Sequence, residues 1–166
     1  EGIDGSGKTT LARSLQEQWP NSIDRAEPTK ESPWGATLRN ALAGGAEEYS
    51  EHELEDLFYR DRLWNIEERV NPALEQGKVV ILDRYFYSTA AYQATRIQDV
   101  DRIVEGYLNE NNILKPDKIV YLDIDAETAC QRLEERRELD RYEDLGRMKL
   151  IKAHYEYIWY KHSELP

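Results

Sequence analysis

The sequence predicts a three-layer α/β fold of the phosphate-loop type, a parallel sheet flanked by helices on both faces. Three observations carry that expectation. The chain opens on EGIDGSGKTT, which from Gly2 satisfies the spacing G-x-x-x-x-G-K-[ST]. Two short β-branched runs, KVVILD and KIVYLDID, each end in Asp. Amphipathic stretches separate them, as expected where buried parallel strands alternate with helices.

Taken in order, the opening loop calls for a buried apolar strand before it, and that strand is expected to lie outside this sequence. KTTLARSLQEQ follows as a helix. SIDRA is the least patterned strand candidate, and WGATLRNAL reads as a short helix. Within EHELEDLFYRDRLWNIEERVNPALEQG, the residues Leu54, Leu57, Phe58, Ile66 and Val70 recur at helical spacing, and Gly77 suits a C-terminal cap. After the KVVILD strand come the helix VDRIVEGYLNEN, the strand KIVYLDID, the helical pattern AETACQRLEER and a long helix, LGRMKLIKAHYEYIWYKHSEL. There is no internal repeat, low-complexity tract or Pro/Gly/Ser-rich linker, so residues 1–166 read as one domain.

Composition narrows the function classes. A chain of 166 residues with 40% hydrophobic content builds one domain with a real core. No run approaches the roughly 18 apolar residues of a membrane helix, and no signal peptide is visible. The single cysteine, Cys130, falls in a helical pattern, where a small buried apolar role is expected, and the whole suits a reducing, cytoplasmic setting. A formal net charge of −11 argues against sequence-independent binding to a nucleic-acid polymer. Any anionic substrate must be met by local arginines.

The opening loop has a definite chemistry. Its glycines let successive N–H groups approach phosphate oxygens, and the following helix points its positive end at the same anion. Gly5, Ser6, Gly7, Lys8, Thr9 and Thr10 are the expected phosphate-binding set, with Lys8 reaching the β- and γ-phosphates and Thr9 ligating Mg²⁺. Asp4, a carboxylate inside a phosphate loop, is the anomaly. A second candidate site lies in VVILDRYFYSTAAYQ. Asp83 ends a buried strand, where open α/β sheets bind ligands, and is placed to hold a magnesium-bound water or to orient an acceptor. Arg84 offers a fork for phosphate. Taken alone, the pair also reads as an ordinary ion pair at a strand end. His52, His154 and His162 do not form a metal-ligand cluster, and the last two are expected at surface or partly buried helical positions. The four tryptophans read as packing, with Trp34, just after EPTKESP, the one near an expected site.

The ordered set EGIDGSGKTT, EPT, FYRDR, LDRYFYSTAAYQ and ELDRYE resembles the thymidylate kinase family of P-loop nucleoside monophosphate kinases, over Glu1 to about Glu143. The resemblance implies a P-loop kinase fold with a five-stranded parallel sheet. It also implies Mg²⁺-dependent transfer of the γ-phosphoryl of ATP to dTMP, giving dTDP, and a homodimer. By the same resemblance Asp4 lies near the 3′-hydroxyl of the acceptor sugar, and Glu27 belongs to the acceptor site. Phe58 stacks on thymine, and Arg62, four residues on and so on the same helical face, contacts the base. Arg84 contacts the acceptor phosphate, Ser88 and Tyr92 line the deoxyribose and base site, Tyr92 crowds a 2′-hydroxyl, and Gln93 stands in the same pocket. Residues 132–143 resemble a mobile lid. The family carries a catalytic arginine in the phosphate loop or in the lid; this loop has none, which assigns Arg136 and Arg137 to transition-state stabilisation, with Arg141 nearby. The alternative is a solvated face salt-bridged to Glu134, Glu135 and Glu138.

Two departures stand out. Many family members have an arginine immediately before Glu-Pro, where this chain has Ala26, and neither Arg25 nor Lys30 stands at the matching place. The family also continues past the final helix into a strand and an adenine-contacting loop that residues 1–166 do not include. A kinase acting on another nucleotide or a deoxynucleoside is therefore the nearest rival. A nucleotide-operated switch would carry an N-K-x-D segment, and there is none; an idle binding protein would have lost Lys8, Thr9 or Asp83, and all are present.

Overall fold

The computed structural model describes residues 1–45, 49–134 and 144–162. The lid arginines Arg136, Arg137 and Arg141 lie outside the described residues. The expected SIDRA strand is β1 (Ser22–Ala26), and it pairs in parallel with β2 (Val79–Asp83), Ser22 opposite Val79 and Ala26 opposite Asp83. The ladder continues one step, from the Glu27 N–H to the Asp83 carbonyl at 3.1 Å. This brings Glu27 and Asp83 side by side at the carboxyl end of the sheet.

KIVYLDID differs from expectation: no strand is assigned over it. Its backbone exchanges bonds with Glu1, from the Glu1 amino group to the Val120 carbonyl (2.8 Å) and from the Leu122 N–H to the Glu1 carbonyl (2.9 Å). A strand is defined by its paired neighbour, and two bonds to one residue are too few to make a ladder.

Helix α1 (Lys8–Gln18) springs directly from the loop at Gly7 and packs on both strands. Helix α2 (Pro33–Asn40) starts at Ser32, whose hydroxyl accepts the Gly35 N–H at 2.8 Å, with Pro33 at the first turn where no N–H is needed. Helix α3 (Glu51–Asn65) opens on a reciprocal Ser50–Glu53 capping box, then passes through one wide turn, Ile66–Val70, into α4 (Asn71–Glu75). As expected, Gly77 ends that run: its φ of +70° suits glycine, and its N–H returns to the Leu74 carbonyl at 2.8 Å.

Helix α5 (Phe86–Gln93) was not separable by pattern, because all eight of its residues are buried and so show no polar face. It packs against α3, α6 (Ile97–Asn109) and α8 (Leu145–Lys161), while α7 (Ala126–Glu134) packs on α8. Phe86, Tyr87, Val100, Val104, Met148, Tyr155 and Ile158 form the centre of this core, and Cys130 packs against its side. His154 is more deeply buried than expected, because its Nδ1 lies 2.9 Å from the Ala91 carbonyl at the last turn of α5.

One buried carboxylate fixes the loop between β1 and α2. Asp61 on α3 accepts the Thr29 N–H (2.8 Å), the Thr29 hydroxyl (2.6 Å) and the Ser32 hydroxyl. Gly35 leaves the room: a Cβ there would overlap the Thr29 carbonyl and stand 2.6 Å from Asp61 Oδ1. The loop that carries Glu27 is thereby clamped to the helix that carries Phe58 and Arg62.

Candidate active site

The phosphate loop takes the shape its glycines permit. Gly5 has φ of +76°, and a Cβ there would stand 2.7 Å from the Ala129 carbonyl, so both conformation and space require glycine. Lys8 curls back over the loop, donating to the Ile3 carbonyl at 2.7 Å and reaching the Ser6 hydroxyl at 3.4 Å. Burial, with the nearby Arg84 guanidinium, brings the Lys8 ammonium down to about 8, although Asp4, Asp83 and Glu1 oppose the shift. Thr9 donates to Asp83 Oδ2 at 2.5 Å, joining the start of α1 to the end of β2. Asp83 Oδ1 is buried and has no hydrogen-bond partner among the described residues. Thr10 sits exposed on the first turn of α1.

Beside the loop lies a cleft of about 510 Å³. It brings together Asp4, Glu27, Phe58, Arg62, Asp83, Arg84, Ser88, Tyr92 and Gln93, which the sequence scatters over ninety positions. At its loop end Arg84 has φ of +74°, an unfavourable conformation for a side-chain-bearing residue. Its guanidinium pairs with Asp4, donates to the Tyr92 hydroxyl (3.0 Å) and the Ser88 hydroxyl (3.2 Å), and lies 4.7 Å above the Tyr92 ring. The Tyr92 hydroxyl in turn donates to Asp4 Oδ2 at 2.8 Å. Burial alone would push the Asp4 carboxyl up, but Arg84 and Lys8, with the Tyr92 hydrogen bond, outweigh it and hold Asp4 below the usual range. The anomalous carboxylate of the loop thus orients the arginine at the cleft.

The other end rests on a buried ion pair. Arg62 donates through Nε (2.9 Å) and Nη2 (2.6 Å) to Glu27 Oε2, and Asn65 donates to Oε1 at 3.2 Å. Arg62 also donates to the Thr89 hydroxyl at 3.1 Å and lies between the Tyr85 and Tyr107 rings. Burial pushes the Glu27 carboxyl up even as its carboxylate, with the two rings, holds Arg62 above its usual value. The pair is charged, since a neutral Glu27 would leave the Arg62 guanidinium bare in the core. Arg62 Nη1 is buried and has no partner among the described residues. Phe58, half-buried, offers a ring on the same helix face.

Sequence reasoning did not name Pro28, Tyr85 and Thr89, which stand inside its motifs, nor Arg39, Leu42 and Ala43, from the end of α2 and the turn after it. Arg39 donates from Nε to the Thr29 carbonyl at 3.2 Å and also reaches the Pro28 carbonyl. The only signal was an arginine in the last turn of the helix after the EPT loop. Ala26 does line the cleft, whereas Arg25 pairs with Glu31 at 3.8 Å, and Arg25, Lys30 and Trp34 are not among the lining residues.

A family model described as "Thymidylate kinase" matches residues 1–159, which contain every residue of this cleft. The chain belongs to the thymidylate kinase family. Among its relatives, the "Thymidylate kinase" of Leptospira borgpetersenii serovar Hardjo-bovis (strain L550) is 39% identical over 163 residues, 95% of this chain and 78% of that one. The "Probable thymidylate kinase" of Archaeoglobus fulgidus is 34% identical over 152 residues, 92% of this chain and 76% of that one. A solved thymidylate kinase from Candida albicans superposes with a TM-score of 0.79 at 26% identity, covering 98% of this chain and 78% of that chain; it is described as revealing the origin of broad substrate specificity. The expected P-loop kinase fold is therefore the fold of this chain.

Proposed function

We propose that this chain transfers the γ-phosphoryl group of ATP to dTMP, giving dTDP, in the presence of Mg²⁺. The observation that carries the reading is the Asp4–Arg84 pair, through which one loop is shared by a phosphate cradle and a cleft with a stacking ring, an arginine fork and buried amide and hydroxyl groups. Phe58 and Arg62 hold the base, Gln93 stands beside them, and Tyr92 fills the space a 2′-hydroxyl would need. Arg84 grips the acceptor phosphate in line with the donor, whose β- and γ-phosphates lie on Gly5 to Thr10 with Lys8 across them. With Ala26 at the cleft wall, Arg39 is the second cation close to that phosphate.

The residues present fit magnesium. Mg²⁺ keeps several waters and takes few protein ligands, and the Thr9 hydroxyl beside Asp83, whose Oδ1 has no partner among the described residues, supplies that kind of set. Among the described residues no cluster of three or more His, Cys, Asp and Glu side chains suits another metal better. When bound, the ion would neutralise charge on the donor phosphates. Arg136 and Arg137 supply the transition-state cation from the lid, within a single domain spanning residues 1–166. No described helix is long and apolar enough to cross a membrane, and we place the enzyme in the cytoplasm, as a homodimer.

The rival acceptor reading rests on Ala26, which removes a cation from the cleft wall. The deciding experiment offers ATP and Mg²⁺ with each nucleoside and nucleoside monophosphate. dTMP should be phosphorylated faster than UMP, dCMP or thymidine, and equal or greater activity on thymidine would overturn the reading.

Lys8 gives donor binding a defined pH dependence. Its pKa in the free protein is about 8, against an ordinary value of 10.5, so between these the unfolded chain binds more protons and stability rises with pH. Donor phosphates favour the charged lysine and reverse this. ATP binding at about pH 9 should therefore take up close to one proton, and almost none below about pH 7. Calorimetry in buffers of different ionisation enthalpy measures it; no uptake at the higher pH would mean that Lys8 is not discharged in the free protein and recharged by the donor.

A further inference from the structure

Glu1 does not line the cleft, yet its carboxylate gathers donors from α5 and the residue before it, which do, and from α8 behind them. Oε1 accepts the Tyr85 N–H at 2.8 Å. Oε2 accepts the Ser88 hydroxyl at 2.5 Å and the Tyr155 hydroxyl at 3.1 Å. Ser88 and Tyr155 are themselves 2.7 Å apart. Helix α5 has no side-chain cap of its own, so this carboxylate stands where its first turn needs an acceptor.

We infer that Glu1 is a positioning residue for the acceptor phosphate, acting through Ser88 and the peptide after Arg84; this rests on reading the cleft as the acceptor site. Two steps connect them. A serine hydroxyl has one proton, and at 2.5 Å from a carboxylate that proton is committed to Glu1. The serine oxygen is then left as an acceptor, and the Arg84 guanidinium donates to it at 3.2 Å. The second step is through the backbone. Arg84 is held at φ of +74°, and the next N–H, that of Tyr85, is the one Glu1 binds. A carboxylate is needed rather than an amide, because all three groups facing it are donors. Glu1→Gln turns its NH₂ either on the Tyr85 N–H, where two donors then meet, or on the two hydroxyls, where the Ser88 oxygen must accept from the amide as well as from Arg84.

The test is calorimetry on the full-length enzyme and its Glu1→Gln variant, with dTMP and ATP titrated separately. dTMP affinity should fall about tenfold, the scale of one lost charge-assisted hydrogen bond, with ATP affinity within about twofold of wild type. In a Ser88→Ala background Glu1→Gln should cost clearly less, since the shared path is already cut. An unchanged dTMP affinity, an equal loss for both nucleotides, or full additivity with Ser88→Ala would overturn the role. Should Glu1→Gln fail to fold, Glu1→Asp is read by the same criteria, since it keeps the charge and draws the carboxylate back from the Ser88 hydroxyl and the Tyr85 N–H. Wild-type enzyme that binds no dTMP would overturn the reading of the cleft and this role with it; wild-type binding with no shift in the variant would overturn this role alone.

Discussion

Lys8→Ala is expected to lower kcat by about 10²-fold or more while leaving the fold intact. Charge develops on the oxygens of the transferring phosphoryl group, and a fixed ammonium there acts on the transition state, where loss of one such preorganised donor has that cost. The fold should tolerate the change because the Lys8 ammonium bonds only locally, within the loop. Its Nζ bonds are to the Ile3 carbonyl and the Ser6 hydroxyl of the loop itself, which solvent can satisfy. Truncation also removes a partly buried ammonium that desolvation and the nearby Arg84 disfavour. Steady-state kinetics with a melting curve measures both halves. A folded variant with near wild-type turnover would remove the donor assignment.

The parts of this molecule legible in the sequence were those whose chemistry is local. The loop spacing singled out Lys8 and Thr9 because its pattern is written in consecutive residues, and the Asp83 strand end was visible because a β-branched run marks a strand. Gly77 closed its helix where the pattern stopped. What local pattern could not give is partnership. The Thr9–Asp83 hydrogen bond spans 74 positions, and the Glu27–Arg62 pair 35. Helix α5 was hidden because burial on all sides erases periodicity. KIVYLDID has the composition of a strand, but a ladder depends on the neighbour and not on the run itself. Arg39 was passed over because only the clamp of Thr29 and Ser32 onto Asp61 brings the end of α2 to the cleft.

Arg84→Ala should fail differently from Lys8→Ala, losing acceptor affinity as well as turnover. The acceptor phosphate is already charged in the ground state, so a guanidinium aimed at it binds substrate and transition state alike. A fall in kcat/KM of about 10² or more is expected, because truncating one member of a part-buried, hydrogen-bonded charge pair also leaves the other unpaired. Here the abandoned partner is Asp4, a carboxylate that would then face an incoming phosphate with only the Tyr92 hydroxyl and Lys8 to moderate it. Part of the loss is therefore repulsion, and that part is removable. Adding Asp4→Asn to Arg84→Ala should recover some dTMP affinity, although Asp4→Asn alone in the wild type should reduce it by loosening the fork. Arg84→Lys should rescue poorly, since an ammonium keeps the charge but cannot span Asp4, Ser88 and Tyr92 at once. Direct dTMP titration of the four variants, with kinetics, separates these terms. If Arg84→Ala keeps its dTMP affinity and loses only kcat, the arginine serves the transferring phosphoryl group and the acceptor phosphate must be held elsewhere, with Arg39 the nearest candidate.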